Sequence, residues 1–191
     1  MSTTDLARLL AGAFAADAFY RAITPTETAP GRADRLRTYF ERALVKYGQV
    51  GEVEIEGGGQ GVAIWEKPGA EIYAGPEPLA ALTDVGRANA AAISAFSRRM
   101  TVGAVPEAAW YLSILGVAEA SQGRGIGARL LHVTLDRLDA LGAPSYLETL
   151  NPRSVPFYER LGYRIWRSEI EPITGAQYWL MGRLAATALG F

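Results

Sequence analysis

The chain has 191 residues, with nineteen basic against twenty acidic side chains and a formal net charge of −1. That is the size of one ordinary domain with room for a real core, and the near balance excludes broad electrostatic attraction to nucleic acid. Cysteine is absent and His132 is the lone histidine, which removes disulfides, a cysteine nucleophile and a histidine-rich metal centre, so no metal is expected.

In chain order, Thr3 or Thr4 is placed to cap a first helix with Leu6, Leu9, Leu10, Ala13 and Phe14 on one face. It should fray near Asp17 to Tyr20 and stop before Pro25. A second helix over about 32–47 carries Leu36, Tyr39, Phe40, Ala43, Leu44 and Tyr47 as its apolar stripe, with Gly48 as a stop. The period then falls to two. Val50, Val53 and Ile55 alternate with Glu52, Glu54 and Glu56, a half-solvated strand; Gly57-Gly58-Gly59 turns the chain and 61–66 returns as its hairpin partner. An Ala-rich helix is expected over about 79–100, with Leu82, Ile93 and Phe96 as its large apolar residues.

Residues 110–117 read as a buried strand, and helical spacing of Leu131, Leu135 and Leu138 marks a helix over 128–141. After a short strand at 145–150, Asn151 is expected to cap a helix with Pro152 in its first position, closed by Gly162. Two alternating stretches, 163–170 and 176–184, form a C-terminal hairpin around Pro172 and Gly175. No apolar run reaches the ~20 residues of a membrane helix, and the first residues lack the basic region of a signal peptide. A soluble, cytoplasmic protein without membrane partners is expected.

Between the 110–117 strand and the helix lies Gln122-Gly123-Arg124-Gly125-Ile126-Gly127. The first turn of a helix offers backbone N–H groups without intrahelical partners at its positive dipole end. Glycines clear the side chains that would keep an anion away, so this is the build of a phosphate cradle, with Arg124 offering a charge beside it. A Walker A loop is excluded because no Gly-Lys-Ser/Thr follows. A dinucleotide fingerprint needs G-x-G-x-x-G and the glycines run one residue short, although Glu148 lies about where a ribose-binding acid would sit.

A third option fits the residues in two blocks. Val117, Gln122, Gly125 and Gly127, followed downstream by Asn151, Ser154, Phe157-Tyr158 and Gly162-Tyr163, resemble the GNAT N-acetyltransferases; the stretch 147–162 is similar to the puromycin N-acetyltransferase branch. The match covers residues 110–170 well and the first hundred loosely. It implies an α+β GNAT fold: a mixed, mostly antiparallel sheet flanked by helices, with central parallel strands that splay. Because the chain opens almost at a helix, the family's first edge strand is expected to be missing or very short.

The resemblance further implies acetyl-CoA as cofactor and acetyl transfer to a primary amine of a small molecule or peptide. It places the pyrophosphate on the amides of Gly123, Arg124, Gly125, Ile126, Gly127 and Ala128 after Gln122, and pairs pantetheine with the backbone of Leu115 and Val117. A backbone N–H near Leu115 serves as oxyanion donor, and Tyr158 protonates the leaving thiolate. Asn151 reaches the pantetheine arm or serves only as a cap. Glu148 is the leading general base, with Tyr111 and Ser113 as relays in its stead. Asp17, Phe19, Tyr20 and Tyr39 either line an acceptor pocket or are ordinary packing, and His132 is expected at the surface. Two rivals stay open: a coenzyme-binding regulatory module without turnover, and a small dinucleotide oxidoreductase. The acceptor and the oligomeric state, a homodimer included, are not given by the residues.

Overall fold

A computed structural model describes residues 1–25, 28–70 and 76–185. The elements run α1 (Thr3–Phe14), α2 (Ala18–Ile23), α3 (Ala29–Val50), β1 (Gly51–Glu56), β2 (Gly61–Glu66), α4 (Pro76–Leu79), α5 (Asp84–Thr101), β3 (Trp110–Val117), α6 (Ile126–Ala140), β4 (Ser145–Thr149), α7 (Val155–Arg160), β5 (Arg164–Ile170) and β6 (Gln177–Arg183). The strands form one sheet in the order β1-β2-β3-β4-β6-β5. Only β3 and β4 are parallel; the other neighbours are antiparallel. Among the described residues no strand precedes α1, so β1 forms the edge where a further strand was expected to be missing or short.

Local signals account for most element ends. Ser2, rather than Thr3 or Thr4, caps α1, in a reciprocal box with Asp5. Thr28 caps α3 and Pro30 lies in its first turn, where a missing N–H costs nothing. That helix runs through Gly48 to Val50, beyond the expected stop. The Ala-rich helix begins at Asp84 rather than 79, because the Thr83 hydroxyl accepts from Gly86 N at 3.1 Å and restarts the helix after the short α4. Residues 26–27 and 71–75, which fall between the expected helices and strands, lie outside the described residues.

The two faces of the sheet bury different helices. On one, Leu130, Leu131, Leu135 and Leu138 of α6 pack with Tyr158 of α7 on Ala63, Trp65, Leu112 and Leu147. On the other, α1 and α3 cover Val62, Ile64 and Ile114, while Phe96 and Met100 of α5 meet Tyr146, Tyr178 and Leu180. Leu131 is fully buried, and such a side chain contributes about 1.5–3 kcal/mol. The acidic row of β1 is half solvated, as expected, and is also held by α6. Arg137 pairs with Glu52, Arg129 with Glu56, and the Thr134 hydroxyl donates to Glu54.

One irregularity positions the site. Along β2, Ile64 pairs with Ile114 but Trp65 with Leu112, so Ser113 is an extra residue, a bulge in β3. Beyond it β3 and β4 part: their ladder holds only Trp110–Ser145, Tyr111–Tyr146 and Leu112–Leu147.

Candidate active site

The parting of β3 from β4 leaves one side of a strand without a ladder. Ala118 N donates to Gln60 O at 2.8 Å. By the alternation of an antiparallel pair, Leu115 and Val117 therefore turn their N–H and C=O groups away from β2, toward the opened side. Gln122 closes part of that edge, its Nε2 donating to Val117 O at 3.2 Å. Leu115 keeps a backbone donor and acceptor facing the gap.

The gap is one end of a cavity of about 970 Å³. It is continuous with the glycine turn: Gly123, Gly125, Ile126, Gly127 and Ala128 all line it. Gly123 and Gly125 hold φ of 74° and 77°, a left-handed backbone that L side chains rarely adopt. Gly125 is the N-cap of α6 and supplies no side-chain cap bond, so the first amides of a 15-residue helix are left for a ligand. The turn is braced from below. Arg129 donates through Nη1 to Arg124 O at 3.1 Å and through Nε to Glu56 Oε1 at 2.7 Å.

The side chains expected here divide. Tyr158, Glu148 and Asn151 line the cavity with Leu115, Val117 and Gln122, whereas the Arg124 side chain is exposed and does not. The cations that do line it are Arg153 and Arg160, just before and at the end of α7, which the sequence reading missed. Asn151 does not cap an α-helix. Its Oδ1 accepts from Arg153 N at 3.0 Å, its own N–H donates to Thr149 Oγ1 at 3.1 Å, and α7 starts at Val155 with Pro156 in its first turn. Asp17, Phe19, Tyr20 and Tyr39 all reach the cavity from α2 and α3, while His132 stands exposed at its rim.

Glu148 and Tyr158 face the cavity from opposite sides of the sheet. Glu148 shares the α5 face with Tyr146, and Ser97 Oγ donates to its Oε1 at 2.6 Å; Tyr111 OH lies 3.4 Å from Oε2. Burial raises this carboxyl above the usual range, and the hydroxyls of Ser97, Tyr178 and Tyr111 pull it partly back. Tyr158 lies on the α6 face, among Leu131, Tyr163 and Phe157. Burial, with Tyr163 adding to it, pushes its phenol well above the ordinary value, so it stays protonated at any working pH. A second acid escaped the sequence reading. Glu66, the last residue of β2, is 1 % exposed, its Oε1 has no hydrogen-bond partner, and burial pushes it up to about 8.

Comparison with known proteins gives the same architecture. Among solved structures, the chain is similar to a Corynebacterium glutamicum ATCC 13032 protein described as histone acetyltransferase HPA2 and related acetyltransferase, at 22% identity and a TM-score of 0.68, covering 96% of this chain and 91% of that one. It is similar also to arylalkylamine N-acetyltransferase 2 from Aedes aegypti, at 15% identity and a TM-score of 0.61, covering 96% and 94%. A third, PH1933 from Pyrococcus horikoshii OT3, shares 17% identity with a TM-score of 0.56, over 96% and 92%. At these identities the likeness is one of fold. The family model for the acetyltransferase (GNAT) family matches residues 64–163, just over half of the chain, from the second half of β2 through α7, a stretch that carries the open strand edge and the glycine turn, so this chain belongs to the GNAT acetyltransferases.

Proposed function

We propose that this protein transfers an acetyl group from acetyl-CoA to a primary amine. One observation carries the reading: the uncapped first turn of α6 and the open edge of β3 share a single cavity, with an acid and a phenol on opposite walls. The residues fit the coenzyme. Amides from Gly123 to Ala128 would hold its diphosphate, Arg153 and Arg160 stand near for further phosphate charge, and Leu115 offers the backbone pair for an amide-bearing arm.

When bound, acetyl-CoA supplies an acetyl group activated as its thioester, which the amine nitrogen attacks directly to form C–N as C–S breaks. Leu115 N–H, without a ladder partner on the open side, donates to the carbonyl oxygen as negative charge grows there. One such donor is worth about 3 kcal/mol. Glu148 accepts the proton that the nitrogen sheds, and its upward-shifted carboxyl is better matched to that task than an ordinary one. Tyr158 gives its phenolic proton to the departing sulfur. No cysteine exists to form an acyl-enzyme.

The test is release of free thiol from acetyl-CoA across a panel of amines, with coenzyme A binding followed in parallel by calorimetry. Amine-dependent thiol release is expected. Tight coenzyme binding without turnover on any amine would replace this reading with a regulatory module.

A further inference from the structure

The charged side chains that line the cavity are sorted along it. Arg153 and Arg160 stand toward the glycine turn and α7. On the opposite face of the sheet, under α2, α3 and α5, the charged groups lining it are Asp17 and Glu148, both acids. The walls between them are aromatic: Phe19, Tyr20, Tyr39, Tyr47, Tyr111 and Tyr178. Three of these rings are in contact, with Tyr20 at 4.9 Å from Phe19 and 6.1 Å from Tyr39, edge to face in both pairs.

Behind this wall lies Glu66. It pairs across the sheet with Tyr111, and the bulged Ser113, whose hydroxyl lies beside its carboxyl, separates it from the cavity. Tyr39 and Lys46 of α3 and Glu148 of β4 are the other titratable groups whose charge it feels. Lys46 forms no ion pair with it. A carboxyl with one oxygen unpartnered in the interior is costly as an anion, so it holds its proton until a cation arrives nearby. Aromatic faces favour the same visitor, since their quadrupole attracts cations.

Resting on the acetyl-transfer reading, we infer that the acceptor is an amine that enters as its ammonium ion, carries an aromatic or apolar body and bears no carboxylate beside the nitrogen. Glu66 is a positioning residue for that charge. It does not touch the reacting atoms; protonated while the cavity is empty, it gives up that proton when a cation arrives and becomes the counter-charge under Ser113, while the rings hold the body of the substrate. An α-carboxylate brought into this end would meet Asp17 and Glu148 with no cationic side chain lining the cavity there among the described residues.

Three amines of one frame test this: 2-phenylethylamine, phenylalaninamide and phenylalanine. Their binding is measured by calorimetry on the full chain saturated with coenzyme A, and their acetylation by thiol release. The first two are expected to bind at least tenfold more tightly than phenylalanine. Glu66→Gln, whose thermal midpoint is recorded alongside, is expected to shrink that ratio severalfold while coenzyme binding holds. Equal binding of all three, or binding of none, overturns the inference, as does an unchanged ratio in a folded Glu66→Gln protein. Selective binding of the two cations without acetylation would support it and count instead against turnover. Acetylation confined to amines outside this class would sink it while leaving acetyl transfer standing.

Discussion

Ser97 Oγ on α5 donates to Glu148 Oε1 on β4 at 2.6 Å, a bond between residues 51 apart in the chain. The donor favours the ionised carboxylate and so works against the burial that raises its pKa. Ser97→Ala removes it, and the carboxyl should rise further. A hydrogen bond to a charged group is worth about 1.5–3 kcal/mol, or about one to two pH units. The acidic limb of a kcat/KM pH profile should therefore move up by about one unit. A limb that stays in place would show that Glu148 is not the titrating base.

Tyr158→Phe keeps the ring packed beside Tyr163 at a centroid spacing of 5.9 Å and deletes only the hydroxyl. General acids typically contribute 10²–10⁴-fold, so kcat should fall about a hundredfold with coenzyme affinity nearly unchanged. Steady-state rates and calorimetry on the same preparation check both halves.

Gly125→Val sets a branched side chain at φ 77° and brings a Cβ to 3.4 Å from Arg129 Nη1. A left-handed L residue costs about 1–2 kcal/mol, and the turn should lose coenzyme A binding by more than tenfold. Arg129→Met separates backbone strain from bracing. It leaves the glycines alone but removes the bonds to Arg124 O and Glu56, and should raise KM for acetyl-CoA severalfold with kcat little changed.

Much of this could be read from the residues because it is local. The β1–β2 hairpin, the β3 strand, the glycine turn and the α6 stripe each announce themselves by period and turn chemistry within a dozen residues. What stayed hidden is what the fold brings together. Glu66 ends an ordinary strand pattern, and it is the fold, which brings Tyr39 of α3 and Glu148 of β4 near it, that makes it a buried acid. Arg129 looks like any exposed helix cation until β1, 73 residues earlier, presents Glu56. Asn151 was misread for a different reason: an Asn before Pro is a helix-cap signal, but Thr149 and Arg153 N–H draw it into a tight turn that delays the helix to Val155.

Glu66 also predicts how stability follows pH. Its folded pKa of about 8 lies above the ordinary 4.5, so the folded state binds its proton more tightly than the unfolded chain. The stability from that proton is fully present below pH 4.5 and is lost progressively as pH rises to about 8. At 1.36 kcal/mol per unit the loss amounts to several kcal/mol. Urea denaturation at pH 5 and pH 8 should show it, and Glu66→Gln should flatten the slope across that window.

Arg183 of β6 holds Asp139 of α6 through two bonds of 2.7 and 2.5 Å and donates from Nε to Leu161 O at 3.0 Å. With Arg183 13 % and Asp139 23 % exposed, the pair is partly screened. Arg183→Met should cost about 2 kcal/mol, short of the 3–5 kcal/mol for a fully buried pair, and chemical denaturation would measure it.

Glu148 and Tyr158 stand on opposite faces of one sheet, and that separation governs traffic. On the acetyl-transfer reading, amine and coenzyme would approach from different faces, so neither need vacate before the other arrives. Initial-rate plots should intersect rather than run parallel, and free coenzyme A should be able to sit beside an unreacted amine in a dead-end complex.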